Sequence, residues 1–194
     1  MMININRKIV LGSGSPRRRE LLTMMGLEFE VIKSDIEEVV EEGLSPAEVV
    51  RSLALQKAED IIQKVSNDAL LITADTIVVC QEKIMGKPKD EQDAYDMLKF
   101  LSGKKQSIYT GMVIWDKLKD KKHEIVGEST IYMKVLTDKE ILDYIKTGDP
   151  MDKAGAYGVQ TEGAVFIEKI EGDFYNIVGL PISKLYDVLK EIES

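Results

Sequence analysis

Lys8 to Gly26 reads KIVLGSGSPRRRELLTMMG, and the order of features inside it decides the fold. Lys8 to Gly12 is a short apolar run of strand character. Ser15 follows as the cap of a helix whose first position is Pro16, and Gly26 stands just past its end. Proline inside the start and glycine beyond the finish is the favoured helix asymmetry. A strand running into a helix across Gly-Ser-Gly-Ser directs the helix N-terminus at whatever occupies the loop. Backbone N–H groups and the positive end of the helix dipole then favour an anion, and arginine grips phosphate oxygens with two donors at once. Neighbouring helix residues point apart, so only one or two of Arg17, Arg18 and Arg19 face the loop. A capped helix start with a solvated arginine face is the alternative. The motif is neither a P-loop, which ends in Gly-Lys-Ser/Thr, nor a dinucleotide fingerprint, which needs a third glycine where Arg17 stands.

The same alternation continues outward. Phe29 to Lys33 reads as a second strand and 34–44 as an acidic loop. Ser45-Pro46-Ala47-Glu48 is a capping box opening a helix to about Val65. A buried strand spans 69–80, Gly86-Lys87-Pro88 makes a turn, and a helix runs from about Asp90 to Ser102. Residues 106–115 and 123–136 form a hairpin, and Thr137-Asp138-Lys139-Glu140 caps a helix closed by Gly148. A glycine-rich loop, 148–163, leads to a strand at 164–170 and a last helix from Pro181. Strands alternating with helices predict an α/β protein. With no repeat or flexible linker, residues 1–194 read as one domain.

The chain has 194 residues, 44% hydrophobic and 31% charged, with a formal net charge of −8. That composition is globular. The acidic balance argues against nucleic-acid or anionic-membrane binding, which call for a basic face. The charge is uneven: residues 1–25 carry five basic side chains against one acidic, and 26–50 one against eight. If these segments converge, they suit a polyanion and its metal. A lone cysteine, Cys80, and the absence of a signal or spanning segment predict a cytoplasmic protein.

Four further groups carry chemistry. Asp75 lies in the apolar run Thr73 to Cys80, where an unpaired carboxylate is costly and needs a cation, a metal or a proton; bonding to backbone N–H groups at a strand end is the alternative. Lys87, held on a rigid turn, suits a phosphate contact, or is an ordinary exposed lysine. In DKAGAYGVQ, 152–160, small residues let backbone approach a flat ligand. The Gln160 amide both donates and accepts, and Tyr157 either stacks on a base or anchors the loop. Asp35, Glu37, Glu38, Glu41 and Glu42 offer hard oxygen ligands for magnesium or manganese, or form a solvated loop. One cysteine and one histidine support neither a zinc site nor a Ser–His–Asp triad.

These motifs, in this order, resemble the Maf family of nucleoside triphosphate pyrophosphatases. The likeness rests on Leu11 to Leu22, Ala74-Asp75-Thr76, Gly86-Lys87-Pro88, LKFLSG at 98–103, Thr110-Gly111, DPMDKAGAYGVQ at 149–160 and Gly179-Leu180-Pro181. It departs at Gly12, where relatives carry alanine, a change expected to loosen the loop. The resemblance implies an elongated mixed β-sheet flanked by helices, with two lobes around a central cleft, akin to inosine triphosphatases and often dimeric. It implies hydrolysis between the α- and β-phosphates with Mg2+ or Mn2+. Asp75 matches the general base, and Ser13, Arg17, Lys57 and Lys87 match triphosphate contacts. Glu37 and Glu38, with Asp75, match the metal side, and Arg17, Thr76 and Gln160 the positions of base choice. The late loop resembles the dTTP/UTP branch, with modified pyrimidine nucleotides within its substrate class. A 7-methyl-GTP pyrophosphatase, and a nucleotide-binding regulator of cell division without turnover, are the competing readings.

Overall fold

In a computed structural model of the chain, residues 5–193 are described. The first strand, β1 (Ile9–Leu11), is fully buried and runs into α1 (Pro16–Met24). β1 lies between two parallel partners, β2 (Phe29–Val31) on one side and β3 (Leu70–Cys80) on the other, with Leu11 opposite both Val31 and Ile72. Parallel neighbours need crossover connections, which α1 and α2 (Pro46–Ile61) supply. The α2 capping box is formed in both directions by Ser45 and Glu48, and the helix ends in a 3-10 turn at Ile62–Lys64.

β4 (Lys83–Met85) folds back antiparallel on β3, and α3 (Glu91–Leu101) follows. β5 (Lys105–Asp116), β6 (Lys121–Met133) and β7 (Ile167–Glu171) complete a seven-stranded sheet of order β2-β1-β3-β5-β6-β7, with β4 paired to β3. α4 (Asp138–Ile145) carries the capping box of Thr137 and Glu140. α5 (Phe174–Val178) and α6 (Ile182–Glu193) close the chain. The mixed sheet flanked by helices is the α/β class expected. Among the described residues no helix is long and apolar enough to cross a membrane.

The chain divides into two compact units. One holds the N-terminal segment as far as Asp75, then Thr110–Gly127, then the segment from Gly179 onward. The other holds Thr76–Tyr109 and Glu128–Val178. Each has its own core. In the first, Val10, Ala54, Ala58, Ile61, Leu71 and Val113 pack together. In the second, Met85, Leu98, Leu101, Ile131, Ile141 and Phe166 do.

Two short elements depart from the sequence expectation. β4 and α5 have three and five residues, too few for a periodicity to register. The stretch read as strand from 164 begins as a 3-10 segment, Glu162–Phe166, and becomes β7 only at Ile167.

Candidate active site

The loop between β1 and α1 is fixed from below by a backbone bond from Gly12 N to Ile72 O at 2.7 Å. Ser13, only 7% exposed, accepts at Oγ from Ser15 N (3.3 Å) and from Arg18 Nη1 (3.0 Å). Ser15 occupies the N-cap with extended backbone, but its hydroxyl makes no capping bond. The cap read from sequence is therefore one of position alone. Arg18, not singled out among the three arginines, spans the site: its Nε donates to Gly179 O at 2.8 Å while Nη1 holds Ser13. Burial lowers the Arg18 pKa, and the Asp75 and Glu38 carboxylates oppose that fall, with Arg17 adding like-charge repulsion. Even so lowered, a guanidinium stays protonated at neutral pH. Arg19 is exposed and reaches Gly14 O at 3.3 Å.

Asp75 comes from β3 and Lys57 from α2. The Lys57 ammonium lies 2.5 Å from Asp75 Oδ1 and 3.0 Å from Glu38 Oε1. Lys57 and Asp75 side chains are each 15% exposed and that of Glu38 42%. Two contacts hold α2 at this spacing. Thr73 Oγ1 donates to Ala54 O at 2.7 Å in a buried bond. Gly111 on β5 lies so close to α2 that a Cβ there would run into the Val50 carbonyl and come within 2.8 Å of Arg51 N. Glycine at 111 is thus a requirement of helix-on-strand approach.

Gly12 sits in equally limited space. A Cβ there would lie 2.5 Å from Thr73 Cγ2 and 2.8 Å from Ile61 Cδ1. The expectation of a loosened loop is corrected: neighbouring methyls occupy the space that an alanine methyl would fill.

Ser13, Lys57, Glu38 and Asp75 are thereby brought together within the first unit, with Arg17 acting on Arg18 through its charge. Glu37 is exposed on the loop beside Glu38. Thr76, Lys87 and Gln160 belong to the second unit. Thr76 follows Asp75 on β3 and is half-buried, whereas Lys87 and Gln160 are exposed. The Lys87 turn is tied to the late loop by Gly155 N donating to Gly86 O at 3.0 Å.

That loop is far more ordered than its glycine content suggested. The Tyr144 hydroxyl donates to Asp149 Oδ2 at 2.6 Å and accepts from Gly158 N at 3.3 Å, and Thr161 Oγ1 donates to Asp149 Oδ2 at 2.6 Å. Lys153, 6% exposed, donates to the Asp149 carbonyl and to the Asp149 and Asp152 carboxylates at 2.6–2.9 Å. Burial raises the Asp149 pKa, but the bonds from Thr161, Tyr144 and Lys153 outweigh it and hold it below the usual range. Tyr157 settles as an anchor: it is 5% exposed and its hydroxyl donates to Gln106 Oε1 at 2.7 Å. Asp149 and Lys153 lie within the 149–160 motif but were given no role of their own; their pairing forms across a 3-10 turn, Asp149–Asp152, which has no i,i+4 signature.

Among the described residues no three His, Cys, Asp or Glu side chains gather into a metal cage. Magnesium sites, however, commonly use one or two carboxylates, several waters and substrate phosphates. Glu38 and Asp75, converging on one ammonium, fit that demand.

A protein of Thermoanaerobacter sp. (strain X514) named dTTP/UTP pyrophosphatase is 51% identical over 184 residues, covering 94% of this chain and 95% of the relative. One of the same name from Acetivibrio thermocellus is 49% identical over 190 residues, covering 95% and 94%. Among solved structures, the Staphylococcus aureus Ham1 protein shares the fold at 14% identity, with a TM-score of 0.50 over 95% of this chain and 99% of that one. The family model described as Maf-like protein matches residues 8–192. With its strand–loop–helix cradle, its paired Asp75 and its late loop all inside that match, the chain belongs to the Maf family.

Proposed function

We propose that the protein is a nucleoside triphosphate pyrophosphatase acting on dTTP and UTP, releasing the monophosphate and pyrophosphate. The observation that carries this reading is the Lys57–Asp75 pair beside the Ser13–Arg18 cradle, in a chain about half identical to relatives of that name. Asp75 takes a proton from water as its oxygen bonds to the α-phosphorus. The bond from that phosphorus to the bridging oxygen breaks, and pyrophosphate leaves with the electron pair. Lys57, Arg17, Lys87 and Ser13 contact the triphosphate, where fixed cations and donors stabilise charge developing on the transferred and leaving groups. Arg18 holds Ser13 in place for this.

Glu38 and Asp75, with Glu37 beside them, are the residues to hold Mg2+ or Mn2+, which would neutralise phosphate charge and polarise the reacting phosphoryl group. Arg17, Thr76 and Gln160 set base choice. An amide at Gln160 can both donate to and accept from the edge of thymine or uracil. We read residues 1–194 as one functional domain, cytoplasmic in keeping with its lone cysteine, and homodimeric as the family resemblance implies.

The test is pyrophosphate release from dTTP, UTP, the other common triphosphates and 7-methyl-GTP, with Mg2+ or Mn2+. Preferential turnover of dTTP and UTP is expected. No turnover of any triphosphate overturns the activity, and a preference for 7-methyl-GTP overturns the substrate assignment.

A further inference from the structure

Gln56 precedes Lys57 on α2, and every polar atom of its side chain is engaged. Its Oε1 accepts from Val39 N at 3.0 Å, and its Nε2 donates to Val39 O at 2.8 Å and to Ser52 Oγ at 3.0 Å. The side-chain amide thus pairs with the Val39 peptide groups in both directions, as an adjacent strand would. Val39 is 62% exposed, so apolar burial is not what holds it. Residues 32–41, around it, have no regular secondary structure. Two successive helix residues therefore grip two successive loop residues: Gln56 takes the Val39 backbone and Lys57 the Glu38 carboxylate.

A half-exposed ion pair such as Glu38–Lys57 contributes below about 1 kcal/mol and does not by itself fix a loop. The amide bridge supplies the missing order, because both its bonds are to backbone and so set where the Glu38 Cα lies. We infer that Gln56 is a positioning residue that presents Glu38 to the Lys57–Asp75 pair and thereby sets the protein's affinity for a divalent cation. This rests on the proposal that Glu38 and Asp75 are the carboxylates of the metal side.

The experiment uses the intact protein and Mn2+ as probe. Gln56→Met keeps helix propensity and length but cannot bridge. The Mn2+ concentration giving half-maximal turnover is expected to rise about tenfold, the lower end for loss of a residue supporting a metal ligand, with kcat at saturating Mn2+ retained. Mn2+ binding without nucleotide, followed by electron paramagnetic resonance, should weaken in parallel. Cleavage by a glutamate-specific protease at Glu37 to Glu42 should quicken, and Val40→Ala, an exposed change on the same loop, should alter none of these. A lower melting temperature in Gln56→Met with an unchanged Mn2+ dependence would overturn the inference, leaving a merely structural contact. Should Gln56→Met not fold, Gln56→Asn, which keeps an uncharged amide one methylene too short to bridge Val39, gives the same comparison. Absence of turnover in the unaltered protein would defeat the activity, while resonance and proteolysis still judge the bridge.

Discussion

Lys57 Nζ lies 2.5 Å from Asp75 Oδ1, and each of these side chains is 15% exposed. The ammonium fixes the carboxylate in direction. Asp75→Asn keeps its shape and removes the group proposed to take the proton, and Lys57 retains Glu38 as a partner. The expected outcome is a loss of kcat by about 10^2–10^4, the usual weight of a positioned acid or base, in a variant that remains folded at the assay temperature. Pyrophosphate release and thermal denaturation check both halves, and full activity in this variant would end Asp75's assignment as base.

Gly111→Ala should be the most damaging single methyl in the first unit. The added carbon meets backbone of Val50 and Arg51, which no rotamer change relieves. Overpacking of this kind costs about 1–3 kcal/mol and sometimes more, and the upper end is expected here. Urea unfolding of the variant measures it, and unchanged stability would show that α2 and β5 are less tightly apposed.

Gly12→Ala should also destabilise, by about 1 kcal/mol, despite alanine being the common residue at this position in the resembling family. Thr73 cannot swing its methyl away without losing its buried bond to Ala54 O. A rise in the unfolding midpoint would contradict the close contact with Thr73 Cγ2.

The Asp149 network gives a prediction in pH. Its folded pKa is depressed, so its contribution to stability is present above the unfolded pKa of about 4 and is lost as pH falls through the folded value. Asp149→Asn should cost about 3 kcal/mol at neutral pH, as for removal of one partner of a buried pair. The gap from the unaltered protein should narrow below about pH 4. Denaturant midpoints of the two proteins at a series of pH values test it; a constant gap would mean that lost packing, and not charge, accounts for the cost.

The helices of the fold were legible because their ends are written locally: Ser45 with Glu48 and Thr137 with Glu140 act within three residues, and Pro16 and Gly26 each mark one end of α1. β4 and α5 were not, since three and five residues are too few for a periodicity to register, although both are held locally: β4 pairs with β3 across the Gln81-Glu82 turn and Asp173 caps α5. The 3-10 start of the segment before β7, by contrast, is tertiary, with Lys134 N donating to Phe166 O. At the site, the residue types and motifs stood out, but not which arginine does what. Arg17 and Arg18 are chemically identical, and only the approach of Gly179 and Ser13 distinguishes them. Gln56 gave no signal because its partner is a backbone, which has no sequence signature.

The contact between Gly12 and Thr73 makes the order of substitutions matter. Serine at 73 would keep an oxygen for the Ala54 carbonyl and vacate the space of Cγ2. Thr73→Ser before Gly12→Ala relieves that contact in advance and leaves only the Ile61 methyl, 2.8 Å away, to give way, whereas the reverse order meets both at once. Position 12, just past the end of β1, and position 73 on β3 are thus energetically coupled, so the two changes together should cost less than the sum of the single ones.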